Sequence, residues 1–223
     1  MTPIQQQDDL SIVIPAAGVG ERLGLGPKAL LELNGEPLIV WITRKALKLA
    51  SEVIITAPPG QHEQFQQLCP GCIIIEGGNT RQSSVENLAK RATRAYVIIH
   101  DVARPFVSLQ LFIDVYKKAK ETGCAGTFLT PDIPVAVIEQ GLVTRGYRRN
   151  QVGIFQGPQA FRREILVDIV NQAIQHNWDE QSTLQLAIRA GVPIAAVEGE
   201  KNNIKLTTPE DWQLAHHLKD YLL

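Results

Sequence analysis

The sequence predicts an α/β protein built on a mainly parallel, twisted sheet with helices on both faces. Two observations carry this. Short β-branched runs alternate with helical patterns through the first 130 residues, the order that lays parallel strands under crossover helices. Those runs are continuously apolar, as strands buried on both faces are. A third observation adds a feature: after Leu129 the rhythm breaks, and "VAVIEQGLVTRGY" alternates about Gln140-Gly141 as a β-hairpin does. The expected architecture is Rossmann-like with an inserted β-hairpin arm.

In chain order, the strands expected are Ile12–Pro15, Val53–Ala57, Ile73–Glu76, Tyr96–His100 and Ala125–Leu129, with helices around Leu38–Leu49, Gln61–Leu68, Val85–Ala92 and Leu111–Glu121 between them. Each strand run is short and β-branched, and each helical run repeats its apolar residues at three and four. The arm follows, from Pro131 to Tyr147. The helical rhythm returns at Phe161–Gln175 and Gln181–Ala190, then strands at Ile194–Val197 and Ile204–Leu206, and a last helix from Pro209, capped by Thr208. An apolar hairpin with nothing to pack on is a liability on a monomer, so the arm is expected to join two copies into a homodimer.

A chain of 223 residues fits one domain spanning 1–223, with the arm inserted at about 131–150. Its 22 Lys+Arg and 23 Asp+Glu leave no field for steering nucleic acid or an anionic membrane, so neither is an expected partner. No apolar run approaches a membrane span, the first ten residues lack a signal pattern, and three cysteines suit a reducing cytoplasm. Cys69-Pro70-Gly71-Cys72 has redox spacing but precedes a strand instead of opening a helix, and reads as a Pro-Gly turn.

The first strand ends in "PAAGVGERLGLGPK". Leu23 stands where a dinucleotide fingerprint wants glycine or alanine, the ribose-binding acid expected after the second strand is missing, and no Gly-Lys-Ser/Thr makes a Walker loop. What remains is a small-residue turn, Ala16, Ala17, Gly18 and Gly20, that lets backbone approach a ligand, with Arg22 and Lys28 as cations on the same loop. Two cations suit a triphosphate whose pyrophosphate leaves and whose charge must be stabilised as it grows. Downstream, Gly77-Gly78 closes a strand before a helix that Ser83 is placed to cap. Asp101 ends another strand, where open α/β sheets bind ligands, and is a candidate Mg²⁺ or ribose contact. Arg104 either contacts a substrate or pairs with an acid.

Four segments together resemble a known family. "PAAGVGERLGLGPKALLELNGEPLI" is similar to the signature loop of nucleotidyltransferases that join a nucleoside triphosphate to a phosphorylated sugar or polyol. "GGNTRQSSV", "HDVARP" and "NIKLTTPED" are similar, in order and spacing, to the 2-C-methyl-D-erythritol 4-phosphate cytidylyltransferases of the non-mevalonate isoprenoid pathway. The resemblance implies CTP and a polyol phosphate as substrates, and Mg²⁺ as cofactor. It implies Gly78, Asn79 and Ser84 as cytosine contacts and Asp101 beside metal and acceptor. Lys205 would reach the α-phosphate, and Arg104 and Arg149 the acceptor, with Arg149 reaching across the dimer. Arg22, Lys28 and Lys205 are then the catalytic cations.

Several positions depart from the family pattern. The loop is one residue short between Arg22 and Lys28, Ala29 replaces a glutamine and Asn79 an aspartate. Val135, Gly157 and Trp178 stand where threonines are usual, all on the acceptor side. Another acceptor, such as ribitol 5-phosphate, and a non-catalytic nucleotide-binding role are the alternatives these departures leave open.

Overall fold

A computed structural model describes residues 5–18, 20 and 23–218. The chain opens with β1 (Gln7–Pro15), crosses a 3₁₀ turn at Lys28–Leu30 and a small ribbon of β2 (Glu32–Leu33) and β3 (Glu36–Pro37), and enters α1 (Leu38–Leu49). Then follow β4 (Ala50–Ala57), α2 (His62–Leu68), β5 (Ile73–Glu76), α3 (Arg81–Arg91), β6 (Tyr96–Ile99), α4 (Leu109–Thr122) and β7 (Cys124–Leu129). The arm is β8 (Val135–Glu139) with β9 (Leu142–Tyr147). The rest is β10 (Ile154–Arg162), α5 (Arg163–Gln175), α6 (Thr183–Arg189), β11 (Ala195–Glu198) and α7 (Pro209–His217).

Seven strands form one sheet in the order β11-β7-β10-β6-β1-β4-β5. All neighbours pair in parallel except at β10, which runs antiparallel to both β6 and β7. The side-chain alternation of β1 divides the core. Leu10, Ile12 and Ile14 face one layer with α1, α2, α4 and α7, and Val13 faces the other with α3, α5 and α6. Every one of these β1 side chains is fully buried, which is why the strand reads as an unbroken apolar run.

Three expectations need correction. β10 is a full strand where none was expected, and Phe161 and Arg162 belong to it and not to the helix, which starts at Arg163. Ile204–Leu206 is not a strand; its Leu206 N–H donates instead to Ala103 O in the loop after β6, at 2.8 Å. The cap of α3 is Thr80, which accepts from Ser83 N–H, while Ser83 returns a bond to the Thr80 N–H as a reciprocal capping box. At α7 the expected Thr208 cap with Pro209 behind it is present, completed by Asp211.

The arm stands as its own two-stranded sheet, turned at Gln140 and Gly141, both with positive φ (51° and 82°), the geometry of a two-residue hairpin turn. Ile138, Leu142 and Val143 on it are each about two-thirds or more exposed. Cys69 to Cys72 is a turn closed by Cys72 N–H donating to Cys69 O, with Pro70 and Gly71 exposed and both cysteines buried, and burial pushes the Cys72 thiol up to about 12. Such a thiol is inert at neutral pH. Among the described residues no helix is long and apolar enough to cross a membrane, and no cluster of three or more His, Cys, Asp or Glu could hold a metal by itself.

Candidate active site

β1 is the switch point of the sheet: the chain runs outward through β4 and β5, then returns to lay β6 on the other side of β1. A crevice opens above the carboxyl ends of strands at such a reversal. Here it is a cavity of about 420 Å³, walled by the loop after β1, the turn between β5 and α3, the loop after β6, and Lys205.

The first wall is backbone. Ala16, Ala17, Gly18 and Gly20 line it as expected, and Ala16 N–H is fixed by Thr56 Oγ1 at 3.0 Å. Gly20 has φ 73°, and a Cβ there would meet Gly26 O at 2.4 Å, so only glycine lets the loop fold back onto the Lys28 side chain. Lys28 lines the cavity and its Nζ donates to Leu206 O at 2.8 Å. Arg22 lies outside the described residues.

The opposite wall is the start of α3. Gly78, Asn79 and Ser84 line it. Ser84 Oγ accepts from Gly78 N–H at 3.1 Å and donates to Thr80 O at 3.0 Å, so the hydroxyl organises the turn from beneath. A Cβ on Gly77 would sit 2.2 Å from Ala17 Cβ: glycine there sets how closely the two walls approach.

Between the walls lies an ion triad. Asp101 Oδ1 accepts from Arg81 Nε at 3.0 Å and Nη2 at 2.8 Å, while Oδ2 accepts from Lys205 Nζ at 2.9 Å. Burial alone pushes this carboxyl up, but the two cations outweigh it and hold Asp101 well below the usual carboxylate range. It is therefore anionic at any working pH. Arg81 is the residue that sequence reasoning passed over. It sits in a quoted motif, but the first position of a helix carries no local sign that its guanidinium folds back onto an acid twenty residues on.

Ten of the expected residues thus meet in one cavity: Ala16, Ala17, Gly18, Gly20, Lys28, Gly78, Asn79, Ser84, Asp101 and Lys205. Two do not. Arg104 is buried beneath the cavity, its Nη1 donating to Asn203 O at 2.7 Å, so it braces the segment that carries Lys205 and does not line the cavity. Arg149 is exposed at the foot of the arm, donating to Asp132 O at 3.1 Å. His100 is fully buried; its Nε2 lies 3.0 Å from Arg104 O, and burial pushes the imidazole down to about 4. Only an N–H can face that carbonyl, so the proton is on Nε2.

A switch-point crevice with a glycine-rich wall and two cations on one carboxylate is the ligand site of a nucleotide-binding type of α/β fold. The chain belongs to the 2-C-methyl-D-erythritol 4-phosphate cytidylyltransferase (IspD) family, whose model matches residues 10–219. The enzyme of that name from Thermus thermophilus is 38% identical over 210 residues, covering 94% of this chain and 97% of the relative. Its counterpart in Deinococcus radiodurans is 34% identical over 212 residues, covering 94% and 89%. A solved structure of the cytidylyltransferase from Thermus thermophilus superposes with a TM-score of 0.81 at 34% identity, covering 94% of this chain and 98% of that one. One from Anaerococcus prevotii, at 22% identity and TM-score 0.83, shares the fold.

Proposed function

We propose that the protein transfers CMP from CTP to 2-C-methyl-D-erythritol 4-phosphate, releasing pyrophosphate and forming 4-diphosphocytidyl-2-C-methyl-D-erythritol. The observation that carries this is one cavity in which Arg81 and Lys205 hold Asp101 and Lys28 lines the glycine-rich wall.

An acceptor phosphate oxygen attacks the α-phosphorus of CTP in line, the new P–O bond forming as the bond to the bridging oxygen breaks and pyrophosphate departs with the electron pair. The acceptor's second pKa is about 6, so it arrives largely as the dianion and no side chain need act as base. The task is electrostatic. Lys28, with Arg22 from the same loop, takes the β- and γ-phosphates and the charge growing on the leaving group. Lys205 shifts from Asp101 to the α-phosphoryl oxygens, and Arg81 then keeps Asp101 anionic and in place. The cytosine rests between Ala16–Gly18 and the turn of Gly78, Asn79 and Ser84.

Mg²⁺ fits this donor set in one way only. Among the described residues one carboxylate, Asp101, lines the cavity, which suits an ion held by one protein acid together with substrate phosphates and not a protein cage. When bound it would supply charge neutralisation between the phosphates. Arg149 stands outside the cavity of its own chain, so a second copy, joined through the arm, supplies it to the acceptor phosphate in a homodimer.

The test is pyrophosphate release from CTP with 2-C-methyl-D-erythritol 4-phosphate, run beside ribitol 5-phosphate. Turnover that favours the first acceptor is expected. Silence with it, or preference for ribitol 5-phosphate, would overturn the reading.

A further inference from the structure

A second cavity, of about 790 Å³, lies away from the first, between α1, the loop entering α4 and the loop after β11. Trp41, Arg44, Lys45 and Lys48 all line it from α1, at the three- and four-residue spacings that put side chains on one stripe of a helix. Lys201 also lines it, and among the described residues Glu200 is the one carboxylate in its lining. That carboxylate is already committed: Glu200 accepts from Ser108 N–H at 3.0 Å and from the Ser108 hydroxyl, capping the approach to α4. Arg44 pairs at the rim with Glu36 and lies 5.2 Å over the Trp41 ring, and Lys201 pairs with Asp132 at 2.7 Å.

Lys45 and Lys48 have no such partner: among the described residues, no carboxylate lies within ion-pair distance of either. Lys45 is half-buried and its Nζ donates to the carbonyls of Pro105 (3.0 Å) and Val107 (2.9 Å). Burial pushes its ammonium down to about 8, with Glu200 offsetting part of that and Lys48 adding to it. Four cations line a concave space whose lining carboxylate is committed to Ser108; with Arg44 and Lys201 paired at its edges to Glu36 and Asp132, Lys45 and Lys48 carry the charge left over, and a fork-shaped guanidinium beside ammonium groups suits phosphoryl oxygens.

From this geometry we propose that the groove is an accessory site for a phosphoryl anion, separate from the nucleotide cavity. Its two loops run straight into the reaction site. Pro105 to Ser108 follow Asp101 and Arg104, and Glu200 to Asn202 precede Asn203 and Lys205. Gln156 stitches the second loop down, its Nε2 donating to the carbonyls of Glu200 and Asn203. Lys201 also donates to the carboxylate of Asp132, the residue whose backbone carbonyl accepts from Arg149. An anion drawn in by Lys45, Lys48 and Lys201 therefore bears on the segments that carry Asp101, Lys205 and Arg149, so occupancy is expected to alter acceptor use.

The probe is inorganic phosphate, titrated into the full chain and followed by calorimetry and by tryptophan fluorescence, with sodium chloride at equal ionic strength as control. Saturable binding is expected that persists under saturating CTP, weakened at least tenfold in the double variant Arg44→Gln/Lys48→Gln, both exposed side chains, and at least threefold in Lys48→Gln alone. Binding that CTP abolishes would place the anion in the nucleotide cavity and overturn the proposal. Equal affinity in parent and double variant, or a response no larger than that to salt, would do the same. A chain that binds phosphate in the groove but shows no affinity for CTP would keep this site and sink the cytidylyltransferase reading, so the two fail separately.

Discussion

Lys205→Ala separates what the triad does for the fold from what it does for the reaction. In the structure Lys205 Nζ sits 2.9 Å from Asp101 Oδ2 with 37% of its side chain exposed. Water screens a pair that open, so its loss should cost at most about 1 kcal/mol of stability, or roughly 2–4 °C in melting temperature for a chain of this size. Asp101 keeps both of its bonds from Arg81 and stays anionic. In the transition state the same ammonium faces charge that develops on the α-phosphoryl group inside a cavity. A preorganised donor there contributes about 3–4 kcal/mol, a factor of roughly 10²–10³ in rate. Single-turnover pyrophosphate release beside a thermal melt reads both numbers. The expected result is a turnover number lowered by that factor with CTP affinity nearly unchanged and Lys205→Arg partly restored. Turnover within tenfold of the parent would remove Lys205 from the chemistry, and a melting temperature lowered by ten degrees or more on the roughly 2–4 °C scale would show that its work is structural.

Further expectations follow from other parts of the site. Gly77→Ala drives a Cβ to 2.2 Å from Ala17 Cβ, so the walls must part; a loss of at least about tenfold in CTP affinity is expected with about 1–3 kcal/mol of destabilisation, and calorimetry showing parental affinity would refute it. Lys28→Ala removes a cation and its bond to Leu206 O, and should lower turnover by about 10²–10³; a near-parental rate would exclude it from leaving-group stabilisation. His100 has its pKa pushed down from 6.5 to about 4, so it stays neutral in the fold while the unfolded chain takes up the proton. Stability should therefore decline as pH falls from about 6.5 toward about 4, and an imidazole that titrates near 6.5 by NMR contradicts this. The parent should sediment as a homodimer, and Ile138→Asp/Val143→Asp, which charges a directly opposed pair on the arm, as a monomer; an unchanged mass would dissociate the arm from assembly.

Much of this was legible in the sequence, and the failures have local causes. Strands buried on both faces announce themselves, and β1, β4, β5, β6 and β7 fall where their apolar runs lie. β10 escaped because Gln156, Gly157, Pro158 and Gln159 interrupt its apolar residues, and the strand is irregular at that point, its pairing with β7 shifting register between Gln156 and Gln159. Ile204-Lys205-Leu206 imitates a strand in composition, but Leu206 N–H pairs with a loop carbonyl at Ala103, a contact that no short pattern encodes. Within the site, glycines and a strand-end carboxylate are local signals and were readable. Arg81 and Arg104 were not placed, because what fixes each is an acid or carbonyl remote in sequence: Asp101 for the first, and for the second Asn203, separated from it by 99 positions.

The bond from Lys28 to Leu206 joins positions 178 residues apart. During synthesis, then, the glycine loop emerges early and waits, with its lysine lacking the carbonyl that orients it, until nearly the whole chain has left the ribosome. A chain ended between Glu198 and Asn203 would carry all seven strands of the sheet and the Arg81–Asp101 pair, but neither Lys205 nor the Leu206 carbonyl that Lys28 Nζ meets, so such a product is expected to lack turnover.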